Sequence, residues 1–396
     1  MRATSGDVWG AKEAQAEKLR VMQEMHGHES LAICDDVVFL ASIARQSGQV
    51  DEALLLADRA VKIAEGGAAA TSPKLTSSVT AEMASVYREK GDLDQALLLS
   101  RRVLAIEEEM VDRGQGGDGL RVAAAQDTVG IIKRMLGKFD EATELHLQAL
   151  EAKQAALGPD HADIASTLMN LGVCADEAAD YEKGREWKSR AMDILLATVG
   201  PDHPQTGQAL INLGESAKRM GDLDEARNLF ERAILVLRGS LGSSHPLLAT
   251  ALNNLAQVQK VLGKHDEALL LLQQSVSIKR EVLPPNHPSI ATALSNLASL
   301  HEEVYKDLEK SLELRRSALE MLSVSLGKSN PQVATHMHNM AVTYTRMGEY
   351  ESAVGLYDEA LQIDEATYGP DHPQVATDLN AMATFRFHMG QWQLSR

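Results

Sequence analysis

The chain has 396 residues and a formal net charge of −17, from 39 basic and 56 acidic side chains, which argues against non-specific nucleic-acid binding because that needs positive surface. Aromatic residues make up only 4%, so stacking platforms for bases are scarce as well. Two cysteines, Cys34 and Cys174, leave no disulfide framework and no zinc knuckle; with no apolar signal core and no stretch of 18 apolar residues, the expectation is a cytoplasmic protein away from membranes.

Residues 1–29 read as an N-terminal tail or capping helix, with a short helix over Ala11 to Met25 and no sustained heptads. From residue 30 to 396 a unit of about 42 residues recurs. It is marked by Gly48, Gly91, Gly137, Gly221, Gly263, Gly348 and Gly390, with Ala179 and Lys306 in the glycine's place in two further copies. Regularity at this period predicts an all-α solenoid of stacked helix pairs, eight full units and a partial ninth, in place of separate globular domains.

The sixth copy, His245 to Asn286, shows the unit. Ala249, Leu252, Leu255 and Ala256 fall on helical spacing. Pro246 suits the first turn of this helix, and Gly263 suits its left-handed C-cap. Asp266 and Glu267 then open a second helix, where carboxylates favour the positive end of the dipole, and Leu271, Leu272, Val276 and Val282 form its apolar stripe. Small residues recur where helices A and B must approach, such as Gly130, Gly172, Gly214 and Ala256 in helix A and Ala142, Gly184, Ala226 and Ala268 in helix B.

Irregularities are few. Residues 66–78 and 113–119 read as loose linkers. The second holds Gly114, Gly116 and Gly119, a literal G-x-G-x-x-G that lacks the preceding strand a dinucleotide site requires. The seventh copy has a one-residue insertion, with Tyr305-Lys306 at the turn, and predicts a local kink. The ninth is expected to turn at Gly390 and stop as its helix B begins.

These spacings are those of the tetratricopeptide repeat, and the HP…AT.LNNLA…G…DEA wording resembles the repeat domain of kinesin light chains and their nephrocystin-like relatives. The resemblance covers about residues 30 to 396. It implies a right-handed solenoid whose A helices line a concave groove, and a non-enzymatic scaffold or adaptor that binds an extended peptide or a partner protein there. The alternative is a regulatory sensor region of a larger nucleotide-switching signalling protein.

No catalytic constellation emerges. His161, His203, His245, His287 and His372 share one loop position, where about a repeat's width separates neighbours, too far for a shared metal. Helix entry beside proline is the expected role. His336 and His338 point to different faces. No nucleophile elbow, phosphate loop or catalytic-cysteine context is present, so neither cofactor nor metal is expected.

Counting the first residue of each copy as zero, positions 5, 9, 12 and 16 of helix A lie opposite its buried stripe. Position 9 is Asn170, Asn212, Asn254, Asn296 and Asn339 in five consecutive copies. Amides both donate and accept, so such a row could bond the backbone of an extended peptide, tie neighbouring repeats together, or do both. Position 15 gives Arg45, Arg88, Arg134, Lys218 and Lys260, with Arg219 and Arg346 one place on. This basic edge suits an acidic peptide, although cations at helix C-termini are also favoured by the dipole alone.

Overall fold

Helix follows helix in the computed structural model, which describes residues 8–66, 72–114 and 118–394 and contains no strand among them. The first helix, α1 (Val8–His26), packs against the first repeat. Eight A–B pairs follow: α2 (Cys34–Gln46) with α3 (Val50–Gly66), α4 (Pro73–Lys90) with α5 (Leu93–Asp112), α6 (Gly119–Met135) with α7 (Phe139–Leu157), and α8 (Ala162–Glu177) with α9 (Tyr181–Thr198). Then come α10 (Pro204–Met220) with α11 (Leu223–Leu241), α12 (Pro246–Val261) with α13 (His265–Val282), α14 (Pro288–Leu300) with α15 (Leu308–Leu326), and α16 (Pro331–Met347) with α17 (Tyr350–Tyr368). The array ends in α18 (Pro373–Leu394).

The predicted turns form as expected. Gly48, Gly91, Gly137, Gly221, Gly263 and Gly348 are left-handed, and so are Ala179 (φ 65°) and Lys306 (φ 58°). The insertion of the seventh copy is absorbed in one π turn, His301–Tyr305, closed by Asp307 N donating to His301 O at 3.0 Å. One extra residue per turn is what a π turn accommodates, so Lys306 still reaches the left-handed position. Two expectations need correction. Gly390 turns nothing, because α18 runs straight through it. Residues 73–78 belong to α4 rather than to a linker; residues 67–71 and 115–117, including Gly116, lie outside the described residues.

The small residues of the two helices work as pairs. In three repeats a large side chain of helix B enters over a glycine of helix A: Gly130 faces His146, Gly172 faces Lys188 and Gly214 faces Phe230, and a Cβ at any of the three would collide with that side chain. Ala268 of α13 is fully buried. Its replacement by leucine is expected to lower stability by about 1–3 kcal/mol through overpacking. An unfolding midpoint equal to the parent's would refute this helix contact.

The solenoid coils until it meets itself. A helices approach the A helix of the next repeat (α6 with α8, α8 with α10, α10 with α12, α12 with α14), a closeness B helices do not show, which puts the A helices on the inner side. After six repeats the coil has closed one turn. The turn glycines Gly48, Gly91 and Gly137 of repeats 1, 2 and 3 then abut Pro288, Pro331 and His372 at the starts of repeats 7, 8 and 9. A side chain at Gly48 or Gly91 would strike the proline, and one at Gly137 would press on the His372 ring, so they serve both the left-handed turn and the close approach. Across the same seam α3 packs on α15, and Ala53, Ala57 and Val86 share one apolar cluster with Ile290, Leu322 and Val333.

Candidate functional site: the inner helix face

The histidines at the repeat starts are N-caps. Nδ1 of His161, His203, His245, His287 and His372 accepts from the backbone N–H two residues on at 3.1–3.2 Å, and Asn330 Oδ1 does the same at 2.8 Å. Each satisfies one of the free N–H groups of an A helix.

The five asparagines occupy equivalent sites on α8, α10, α12, α14 and α16. Asn254 is buried and the other four are partly so. Two of them tie neighbouring repeats: Asn254 Nδ2 donates to Glu215 Oε1 of the preceding A helix at 2.6 Å, and Asn296 Nδ2 donates to Asn253 Oδ1 at 2.9 Å. Asn212 Oδ1 accepts from Gln208 Nε2 at 3.3 Å within its own helix. Inter-repeat bonding therefore accounts for part of this row.

The basic edge is mostly consumed internally. Position 15 of one A helix faces position 16 of the next, and the two carry opposite charge. Arg134 pairs with Glu177 (2.6 Å), Lys260 with Glu303 (2.8 Å), and Arg45 reaches Glu82 (2.9 Å) and Glu89 (3.8 Å). At the step from repeat 7 to repeat 8 the signs swap, and Glu302 takes Arg346 at 2.9 Å. Arg88 meets its neighbour Glu89 at 3.4 Å. Lys218 and Arg219 at the end of α10 are different: among the described residues, neither has a carboxylate at ion-pair distance. The residue that faces Lys218 from the next repeat is Val261, 63% exposed, instead of a glutamate.

Beneath this edge lie polar groups that sequence reasoning missed. In repeat 4 the buried Asp176 bonds Lys188 Nζ at 2.6 Å and Ser216 Oγ at 2.7 Å, and Lys188 donates to Ser216 at 2.6 Å. Burial pushes the Lys188 ammonium below its usual range, against the pull of Asp176. Repeat 7 repeats the pattern with Glu302, Arg315 and Thr343. Repeats 4 and 7 are also the two without a turn glycine. A charged residue where other repeats have Ala57, Phe230 or Leu272 was the available signal. In the repeat 4 set Asp176 Oδ2 takes both bonds and Oδ1 is buried without a hydrogen-bond partner. No group of three or more His, Cys, Asp or Glu among the described residues could hold a metal ion. No described helix is long and apolar enough to cross a membrane.

Stacked helix pairs with one side chain face turned inward define an α-solenoid of the protein-interaction scaffold type. The tetratricopeptide repeat family model matches residues 121–183, 163–234, 208–281, 261–323, 289–365 and 332–396, and the chain belongs to that family. No curated protein matches the chain significantly. Among solved structures, nearly identical TPR-like repeats assigned to a kinesin light chain of Podosopora anserina are 22% identical, covering 52% of this chain and 98% of that one, with a TM-score of 0.43. BtubC (BKLC) from P. vanneervenii is 18% identical over 61% of this chain and 93% of its own, with a TM-score of 0.46. A Rap protein complexed with competence and sporulation factor is 14% identical over 90% of this chain and 99% of its own, with a TM-score of 0.55. At these identities the likeness is one of fold.

Proposed function

We propose that this chain is an adaptor or scaffold that holds an extended, acidic segment of a partner protein against its inner helix face. The observation that carries the reading is the central step between repeats 5 and 6. There Lys218 lacks the carboxylate that neutralises Arg134 or Lys260, and Arg219 beside it faces the preceding repeat, where Asp176 is held by Lys188; both stand beside the asparagine row. A carboxylate brought by a peptide would complete the alternation of charge found at neighbouring steps. Exposed Val261 offers an apolar contact at the same place. Five asparagines about 10 Å apart span roughly 40 Å, enough for about 12 residues of extended peptide at about 3.3 Å each. The fold itself is suited to such use: the Rap protein of similar fold is seen complexed with competence and sporulation factor.

The test is selection from a random peptide library displayed at about that length. Binders enriched in Asp and Glu are expected, and Lys218→Glu with Arg219→Glu should abolish their binding. Replacing Asn212, Asn254 and Asn296 together by alanine should weaken them by on the order of 1 kcal/mol for each bond made to the peptide. Thermal unfolding of the same triple variant separates the roles, since Asn254 and Asn296 also tie repeats together. Selected peptides that bind both variants as well as the parent would overturn the reading.

A further inference from the structure

Two equivalent hydrogen bonds cross the seam where the coil closes, and a third residue stands in the same place. His287 Nε2 bonds Gln46 O at 3.2 Å and Asn330 Nδ2 donates to Glu89 O at 2.9 Å; the His372 ring lies against Gly137 and faces the carbonyl of Met135. The acceptor always lies two residues before a turn glycine, in the last turn of an A helix, where carbonyls have no partner within the helix. One side chain thus caps two helices: it accepts from the first turn of its own and donates to the last turn of a helix six repeats away. An imidazole can do both only as the neutral tautomer with its proton on Nε2. A second proton would sit on Nδ1 and leave the Nε2–H donor in place, but it would face the backbone N–H of Ser289 or Gln374, so the ring must turn away from the helix start and out of the seam. Asparagine performs the same two bonds without titrating.

We propose that the seam is a pH-gated latch: His287, Asn330 and His372 fasten repeats 7–9 onto repeats 1–3, and acid releases it by protonating two of the three. The surroundings fit. His287 faces the Gln46 carbonyl of α2, Glu89 of α4 and Lys279 of α13, and burial outweighs Glu89 and pushes it below the usual histidine range. His372 faces the Met135 carbonyl of α6 and Glu177 of α8, and stacks on the Tyr368 ring of α17 at 4.3 Å; burial pushes it down too. A histidine whose value falls on folding contributes stability that is full above about pH 6.5, the unfolded value, and is lost as pH falls toward the folded one. The latch stands on its own geometry. Its consequence, that the inner face becomes reachable from the side when the latch opens, rests on the inner-face reading above.

The experiment uses the whole chain with spin labels on Asp94→Cys and Glu359→Cys, which are both exposed and line one cleft at the seam. Cys34 and Cys174 are fully buried and do not compete for label. The distance between labels is followed from pH 7.5 to 4.5. The parent is expected to shift to longer distances with a midpoint below about 6.5, and His287→Asn with His372→Asn to stay closed. Asn330→His should widen the shift. The double variant also separates the two histidines from every carboxylate that titrates in this range. A parent distance that does not change with pH, or a double variant that opens as the parent does, overturns the latch; neither outcome bears on which peptides the inner face selects.

Discussion

Replacing Lys188 by alanine should cost about 3–5 kcal/mol, because it strands the buried carboxylate of Asp176 without its ammonium. Asp176 and Lys188 are 3% and 2% exposed at the side chain, so water cannot stand in for the lost partner. Gly172 would then face a void where the lysine stem had packed. Replacing all three members of the set, by Asp176→Leu, Lys188→Met and Ser216→Val, should bring stability back to within about 1–2 kcal/mol of the parent, since well-packed apolar groups replace buried ion pairs without loss. Acid should partly rescue Lys188→Ala alone, because protonation removes the stranded charge. Urea unfolding at pH 7.5 and 5.5 measures all of this. A single variant as stable as the parent would show that Asp176 is solvated in solution.

A second large effect lies at the last repeat. Asp364 of α17 and Asp378 of α18 are both buried, and His338 Nδ1 meets Asp378 Oδ1 at 2.8 Å. Burial first, and the neighbouring Asp378 next, push the Asp364 carboxyl up to about 8. The folded state therefore holds a proton that the unfolded state has lost between about pH 4 and 8. Stability falls as pH rises through that window, by up to about 1.4 kcal/mol per pH unit. Docking of α18 should accordingly tighten between pH 8 and pH 5, as read from amide exchange along the helix after correction for intrinsic rates. Asp364→Asn should flatten the dependence, since the amide carries no charge and can still donate to Asp378. A parent whose α18 exchanges equally at both pH values would contradict the pairing. This trend opposes the effect of acid at His287 and His372, so the two titrations are distinguishable by direction.

Much of the fold was legible because it is local and repeated. The turn residues, the N-terminal prolines and histidines, and the small residues between helices each recur at one place from copy to copy, and Ala179 and Lys306 could be assigned to the left-handed position from phase alone. The basic edge was legible as a row but not as a set of pairs. Its partners sit in the next repeat one position further on, and aligning position 15 of each copy with position 16 of the following one would have exposed Arg134 with Glu177 and Glu302 with Arg346. The closure of the coil was out of reach. Nothing in a 42-residue period says how far each unit rotates on the last, and Asn330 meets Glu89 across 241 residues only because those small rotations accumulate to a full turn. The π turn was out of reach for a related reason: an extra residue can be looped out or wound in, and the packing of Glu302 against Arg315 and Thr343 decides for winding it in.

The seam also limits how such a gene can lengthen. Like a screw thread, it stays in register when whole units are lost: without repeat 5, Asn330 would fall opposite Gly48 and His372 opposite Gly91. Duplicating a unit is another matter. One extra repeat between 4 and 7 would bring His372 opposite Ala179, whose methyl group occupies the space that a bare glycine leaves at Gly137. Unequal crossing-over could therefore shorten this array by one unit and keep it wound, whereas growth between repeats 4 and 7 would set His372 against a methyl group at position 179.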